Sequence, residues 1–165
     1  MDLTPTPSQT IGPFFHLCLK PHVDPGASAG EQIRLIFRIL DGDEVPVSDA
    51  LIEVWQADAA GEYGYFARLC TNGEGIARLD TVKPGRLDTQ APHINVMIFA
   101  RGLLKQLFTR IYFDGDASNA SDPILALVPE HRRGTLIAHP SAADPRVWNF
   151  DIRLCADCET VFFDI

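Results

Sequence analysis

Residues 146–154, RVWNFDIRL, carry the clearest alternation of apolar and polar side chains in the sequence. Successive side chains of a β-strand point to opposite faces, so this pattern predicts a strand with one buried face and one solvent face. The apolar face carries Trp148, Phe150, Ile152 and Leu154, and the polar face carries Asn149, Asp151 and Arg153. The stretch is therefore expected to form a half-buried strand of an antiparallel sheet.

Further β-strands are predicted by other runs of β-branched, aromatic and aliphatic residues. These runs are IRLIFRIL from Ile33, ALIEVWQA from Ala50, GIARLDTV from Gly75, HINVMIFA from His93, LFTRIYF from Leu107 and the final TVFFD. Turn-forming segments separate them, and only PILALVPEHRRGTLIA offers a short helix, with Asp122 as its cap. Seven or more short strands with so little helix predict an all-β fold, an antiparallel β-sandwich with one or two short helices.

The length of 165 residues, 46% of them hydrophobic, suits one domain with a single core. Residues 1–30 are rich in Pro, Gly, Ser and Thr and have no strand pattern, so we expect an irregular extended arm there and the sandwich over residues 31–165. The sequence has no apolar run of about 18 residues, and no basic start followed by an apolar stretch. These features favour a cytoplasmic protein without a membrane span.

The net charge of the chain limits the kinds of molecule that it can be expected to bind. Lys and Arg number 14 against 22 Asp and Glu, which gives a formal net charge of −8. An acidic surface repels nucleic acid, so a nucleic-acid-binding function is not expected. A small anionic ligand would also be disfavoured unless one local cation overrides the overall field, and Arg101 is the candidate for that cation.

The four cysteines include one C-x-x-C pair, Cys155 and Cys158, within LCADCET. A zinc site would need a second pair of ligands at similar spacing, and a redox motif would open a helix after a strand. Neither context occurs in the sequence. We therefore interpret these two residues as reduced thiols near the end of a strand.

The stretch APHINVMIFARG, residues 91–102, has the pattern of a strand that carries half of a metal-binding pair. His93 and Asn95 are two residues apart, so they project from the same face with Cα atoms about 6.5 Å apart. Two histidines at this spacing could bind one ion, but this chain offers a histidine and an amide. The other histidines show no ligand spacing and are assigned structural or solvent-exposed roles: His16, His22, His131 and His139.

Seven motifs occur in order along the chain: TPSQTIGPF, LIEVWQADAAGEY, TVKPG, APHINVMIFARG, TRIYFDGD, RRGTLIA, and FDIRL followed by ETVFFD. Together they resemble the intradiol ring-cleavage dioxygenases, and most closely the alpha chains of the members that cleave protocatechuate. The resemblance implies a β-sandwich family in which a ferric ion, held by two tyrosines and two histidines, opens a catechol ring with O2. Phenolate oxygens stabilise Fe(III), and two imidazoles complete a site that stays open to a catecholate.

Carried over onto this chain, the four ligand positions fall on Tyr63, Leu87, His93 and Asn95. Leu87 has no donor atom, and the Asn95 amide is neutral and a poor ferric ligand. Gln90 stands where catalytic chains of the family carry an arginine. The resemblance thus implies vestigial ligand positions, no metal and no catalytic residue in this chain, and Fe(III) in a homologous iron-binding beta subunit.

The resemblance also implies an active site at the interface of the two chains, lined partly by this one. The residues of this chain would be Thr10, Gly12, Pro13 and Phe14 of the arm, and Arg101. Gly and Pro make a tight, stiff arm whose backbone can approach a ligand, and a guanidinium can pair with the carboxylate of protocatechuate. The implied function is that of an alpha, non-iron-ligating subunit supporting O2-dependent ring cleavage.

Other interpretations of the same residues stay open. Arg101 could be a solvated strand end, and Tyr63 and His93 could be ordinary core residues hydrogen-bonded to each other or to the backbone. A self-sufficient metalloenzyme could use altered ligands, such as Tyr63 and His93 with Tyr65 or His16. A non-catalytic module could instead bind an aromatic acid in the emptied pocket beside Arg101.

Overall fold

The computed structural model describes residues 19–23 and 29–164, except for the side chain of Tyr63. Nine strands form among these residues: β1 (His22–Val23), β2 (Gln32–Leu40), β3 (Leu51–Ala57), β4 (Tyr63–Cys70), β5 (Ile76–Val82), β6 (His93–Phe99), β7 (Leu107–Phe113), β8 (Ile137–Pro140) and β9 (Val147–Arg153). The arm predicted for residues 1–30 lies largely outside the described part of the chain, so its extent stays a prediction.

Within residues 19–23 and 29–164, helical structure lies between β7 and β8. It consists of one four-residue α-helix, α1 (Glu130–Arg133), and three 3-10 turns, Ala117–Ser121, Leu125–Leu127 and Gly134–Leu136. Asp122, the predicted helix cap, ends the first turn, and the N-cap of the second turn is Ile124. The Asp122 carboxylate nevertheless accepts hydrogen bonds from the backbone N–H groups of Ile124 and Leu125 at the start of the second turn. Within the described ranges, no helix is long and apolar enough to cross a membrane.

The strands form one curled sheet in the order β1-β4-β3-β6-β7-β8-β9-β2-β5. The short strand β8 joins the two halves of this sheet, because it pairs with β7 on one side and β9 on the other. The all-β prediction is therefore confirmed. Most strand pairs are antiparallel as predicted, whereas two pairs, β7–β8 and β2–β9, depart from the prediction and run parallel. Long connections through the rest of the fold permit both parallel pairs.

The two halves of the curled sheet share one hydrophobic core. Its members include Leu35, Phe37 and Ile39 of β2, Ile94, Val96 and Ile98 of β6, and Phe150 and Ile152 of β9. Each of these large side chains contributes roughly 1.5–3 kcal/mol through burial of apolar surface. The alternation predicted for β9 is confirmed, because Trp148, Phe150 and Ile152 are buried whereas Asn149 is exposed.

Strand β6 therefore has an inner face in the core and an outer face that carries His93, Asn95 and Met97. A second, smaller apolar cluster lies beside the start of this outer face. Its buried members are Ala91, Tyr112, Leu125, Val128 and Leu136. The 3-10 turns between β7 and β8 thus pack against the end of β6 where the histidine stands.

Candidate functional site

His93 is the first residue of β6 and is only 4% exposed. Its Nδ1 lies 2.8 Å from the carbonyl oxygen of Ala91, and because a carbonyl can only accept, Nδ1 carries the proton. Burial lowers the pKa of His93, and the positive charge of Arg110 lowers it further, against the opposing effect of the Ala91 hydrogen bond. The imidazole is therefore neutral, with Nε2 as its one potential ligand atom.

Asn95 follows on the same face of β6, as the spacing predicted. In the sheet register it lies opposite Trp55 of β3 and Arg110 of β7. The residue is 8% exposed, and its side-chain oxygen Oδ1 is buried without a hydrogen-bond partner. An unpaired buried amide oxygen costs about 1–3 kcal/mol, so folding alone does not favour Asn at this position.

A fully buried carboxylate, Asp122, ties the start of β6 to β7 and to the 3-10 turns. Its Oδ2 accepts the Ala91 N–H at 2.8 Å, and its Oδ1 accepts the Tyr112 hydroxyl at 3.0 Å. Burial acts to raise the pKa of Asp122, but hydrogen bonds from the N–H groups of Leu125 and Ala91 and from Tyr112 bring it below its usual value. Burial raises the pKa of Tyr112 to about 12, so this hydroxyl stays protonated and donates.

Leu87 and Gln90 lie in a tight turn before β6. The Gln90 N–H donates to the Leu87 carbonyl at 2.8 Å, and Asp88 between them has φ +51°. The Gln90 side-chain oxygen accepts a 2.6 Å hydrogen bond from Nη1 of Arg110. Gln90 therefore holds a guanidinium in place beside Asn95, whereas an arginine at position 90 would repel it.

The residues at the four carried-over positions do not fit a ferric site. Leu87 is a half-buried hydrocarbon, and Asn95 offers a neutral amide oxygen. Tyr63 begins β4, and its side chain lies outside the described part of the structure. In residues 19–23 and 29–164, no group of three or more His, Cys, Asp or Glu side chains could hold a metal ion. A ferric ion prefers anionic oxygen donors, which Leu87 and Asn95 cannot supply.

The alternative of a self-sufficient metal site using Tyr65 conflicts with the geometry. Tyr65 is 7% exposed and belongs to the main hydrophobic core, on the inner side of the sheet. Its hydroxyl donates to the carbonyl oxygen of Asp80 at 3.2 Å. His93 lies on the outer face of β6, so the sheet itself separates the two side chains. The other proposed ligand, His16, lies outside the described residues.

Arg101 lies just after the other end of β6, about 25 Å from His93 along an extended chain. It occupies a turn closed by a 3.3 Å hydrogen bond from the Leu103 N–H to the Ala100 carbonyl, with Gly102 at φ +85°. The Arg101 side chain is 63% exposed, and its Nε lies 2.5 Å from Oδ2 of Asp49. The arginine is thus solvent-facing but paired, rather than a free strand end.

Several other predicted residues take no part in this region. Thr10, Gly12, Pro13 and Phe14 lie outside the described residues, so their pocket role stays a prediction. Cys155 and Cys158 follow β9 as exposed free thiols. His139 is exposed, with its Nδ1 3.2 Å from Oδ2 of Asp114. The sequence did not predict the contact of Asp49 with Arg101 or those of Asp122 with Tyr112 and Ala91. Each of these contacts joins residues that are not neighbours in the sequence.

Comparison with known proteins gives several likenesses. The chain is 43% identical to the protocatechuate 3,4-dioxygenase alpha chain of Burkholderia cepacia, over 99% of this chain and 98% of that one. It is 33% identical to the protocatechuate 3,4-dioxygenase beta chain of Burkholderia cepacia, over 79% of this chain and 65% of that one. A family model described as "Dioxygenase" matches residues 16–91.

Among solved structures, this chain is similar to the dioxygenase domain of a dioxygenase and carbohydrate-binding protein fusion from Streptomyces sp. SirexAA-E. The TM-score is 0.68 at 26% sequence identity, and the superposition covers 96% of this chain and 100% of that one. The likeness to the alpha chain extends over nearly the whole of both sequences, whereas the likeness to the beta chain covers only part of each.

Proposed function

The chain belongs to the intradiol ring-cleavage dioxygenase family, and on that premise we propose that it acts as the alpha subunit of a protocatechuate 3,4-dioxygenase. The observation that carries this proposal is a sequence identity of 40% and 43% to two alpha chains, over 99% of this chain in both cases. The complete enzyme would cleave the ring of protocatechuate with O2 to give 3-carboxy-cis,cis-muconate. A homologous beta chain would be the partner, and the assembly would work in the cytoplasm.

The iron of this enzyme would be held by the beta subunit. The support from this chain is the chemistry at its own carried-over positions, where Leu87 and Asn95 provide a hydrocarbon and a neutral amide. The start of β6 is instead stabilised by internal hydrogen bonds, with Asp122 accepting from both Ala91 and Tyr112. This region would therefore have a structural role in the alpha subunit.

The contribution of this chain to the shared pocket would come from Arg101 and from Thr10, Gly12, Pro13 and Phe14. The exposure of Arg101 supports this role, because 63% of the side chain is accessible at the turn that follows β6. Protocatechuate carries a carboxylate, and a guanidinium can bind a carboxylate through two parallel hydrogen bonds. Against a net charge of −8, such a cation would be needed to bind an anionic substrate.

The test is to purify the chain alone and together with a co-expressed homologous beta chain, and to measure iron, visible absorption and O2 uptake with protocatechuate. We expect no stoichiometric iron and no ring cleavage from the isolated chain, and both from the complex. Stoichiometric Fe(III) with tyrosinate absorption in the isolated chain would contradict the assignment of iron to the partner. Saturable binding of protocatechuate by the lone chain, with an inactive complex, would favour a non-catalytic binding module.

A further inference from the structure

Arg101 is held by an acidic partner that is itself largely buried. The Asp49 side chain is 19% exposed, against 63% for Arg101, and its Oδ2 makes the 2.5 Å contact with Nε. The second carboxylate oxygen, Oδ1, is buried and has no hydrogen-bond partner. A buried carboxylate with one unpaired oxygen is costly, so the stability of this chain does not by itself explain Asp at position 49.

The turn that carries Asp49 is fixed to the sheet by Thr71, whose N–H donates to the Ala50 carbonyl at 3.0 Å and whose hydroxyl makes two further hydrogen bonds. Oγ1 of Thr71 accepts the Ala50 N–H at 3.0 Å and donates to the Val47 carbonyl at 2.8 Å. Thr71 is 8% exposed and directly follows β4, and Ala50 is fully buried. The backbone on both sides of Asp49 is therefore anchored, so the carboxylate is presented from a rigid position.

The contact at Nε restricts a long side chain that is otherwise largely exposed. An unrestrained arginine has about 2 kcal/mol of rotamer entropy to lose when it binds a ligand. The closest contact of the ion pair is at Nε, on the inner edge of the Arg101 guanidinium. A carboxylate ligand can bind the outer edge, which carries the two terminal nitrogen atoms. The pair with Asp49 is thus compatible with a second carboxylate on the opposite edge.

We propose that Asp49 is a positioning residue, which orients the guanidinium of Arg101 toward the substrate carboxylate in the pocket shared with the partner subunit. This inference rests on the proposed function, because it takes Arg101 as the residue that meets the substrate. Asp49 touches neither the substrate nor the iron. Its effect is to reduce the ordering that Arg101 must undergo when a carboxylated catechol binds.

The test uses Asp49→Asn in the complete alpha–beta complex, because this change keeps the side-chain shape and removes the charge. For protocatechuate we expect KM to rise about five- to tenfold with kcat within about twofold, as for a loss of preorganised binding. For catechol, which lacks the carboxylate, both constants should match those of the unmodified complex. Asp43→Asn is the matched control, since Asp43 is an exposed acid of the same connection between β2 and β3.

A purely structural role of Asp49 would lower the melting temperature of the complex and change the kinetics of both substrates alike, and this outcome would overturn the inference. Arg101→Ala distinguishes a failure of the Asp49 role from a failure of the Arg101 role. If Arg101→Ala raises KM for protocatechuate and Asp49→Asn does not, the positioning role alone is wrong. If neither variant changes KM, the pocket role of Arg101 fails and the role of Asp49 fails with it.

Discussion

Strand β6 connects two regions whose polar side chains differ in burial and in their hydrogen-bond partners. At its start, His93 and Asn95 are 4% and 8% exposed, and the nearby carboxylate of Asp122 is fully buried. Past its end, Arg101 is 63% exposed and contacts one carboxylate, that of Asp49. In the first region, His93 and Asp122 form hydrogen bonds within the chain. In the second region, the charged guanidinium of Arg101 is exposed to solvent.

This difference indicates which of the two regions can act on a ligand. Asp122 accepts four hydrogen bonds from this chain, and the His93 imidazole is kept neutral by burial. Groups used in this way stabilise the fold and have little capacity left for a ligand. An exposed guanidinium in a turn is accessible to a partner or a substrate at little cost to the fold. The two regions should therefore respond differently to mutation, one in stability and the other in substrate binding.

The largest effect is expected for Asp122→Ala. The change removes the acceptor for the Tyr112 hydroxyl and for the N–H groups of Ala91, Ile124 and Leu125, and all of these hydrogen bonds except that of Ile124 are buried. Leaving several buried donors unpaired should lower the free energy of unfolding by about 3–5 kcal/mol. Urea denaturation of the purified chain would measure this loss.

The matched control for Asp122→Ala is Asp114→Ala. Asp114 is exposed and makes one 3.2 Å contact, with His139, so its removal should change the free energy of unfolding by less than about 0.5 kcal/mol. Equal effects of the two substitutions would show that the Asp122 hydrogen bonds do not stabilise the start of β6. If Asp122→Ala does not fold, Asp122→Asn keeps the shape and should still be clearly destabilised.

At the other end of β6, Arg101→Ala should affect binding rather than folding. In the alpha–beta complex we expect KM for protocatechuate to rise about 10- to 100-fold, because a charge-assisted pair with the substrate carboxylate is lost. Steady-state O2 uptake with protocatechuate and with catechol would measure this. The KM of Arg101→Lys should lie between that of the unmodified complex and that of Arg101→Ala, since an ammonium keeps the charge but cannot donate two parallel hydrogen bonds. An equal rise in KM for catechol would contradict a carboxylate contact.

The parts of this structure that sequence could predict are those governed by local periodicity. Alternation correctly placed Phe150 and Ile152 in the core and His93 and Asn95 on one face of β6, because burial follows a two-residue repeat along a strand. The sequence also pointed to Asp122 as a helix cap, and its carboxylate does bind the N–H groups of Ile124 and Leu125, although the N-cap position of that turn is Ile124. Arg101 was identified mainly through the family resemblance, with the excess of acidic residues as a second reason, and its role in a pocket stays a prediction.

The parts that sequence could not predict depend on residues that meet only in the folded chain. The parallel pairing of β2 with β9 joins residues near position 36 to residues near position 149. The contacts of Asp122 with Ala91 and of Arg101 with Asp49 likewise have no local pattern. A capping aspartate and a surface arginine are common, so only the three-dimensional structure shows that each has a second role.

A smaller effect should appear in the pH dependence of stability. Burial places the folded-state pKa of His93 below the usual histidine value of 6.5, so below about pH 6.5 the unfolded chain takes up the proton first. Stability is therefore lost as pH falls from about 6.5 toward the folded-state pKa, at up to about 1.4 kcal/mol per pH unit. Urea denaturation of the chain between pH 7.5 and 5 would measure the slope.

His93→Asn keeps a donor for the Ala91 carbonyl but does not titrate in this range, so its stability should change less with pH than that of the unmodified chain. His131→Asn, at an exposed position of α1, controls for the exchange of a histidine for an asparagine as such. Parallel curves for the unmodified chain and His93→Asn would contradict the linkage between this buried imidazole and folding.

The smallest effect is expected at the turn that carries Arg101. Gly102 has φ +85°, and a Cβ atom added there would meet no heavy atom within 4 Å, so Gly102→Ala introduces backbone strain without a clash. An alanine in the left-handed region costs roughly 1 kcal/mol. Gly134→Ala is the matched control, because Gly134 has equally open surroundings but an ordinary helical φ of −57°. Thermal denaturation should show Gly102→Ala destabilised and Gly134→Ala unchanged or slightly stabilised, and equal melting temperatures would mean that the turn relaxes without strain.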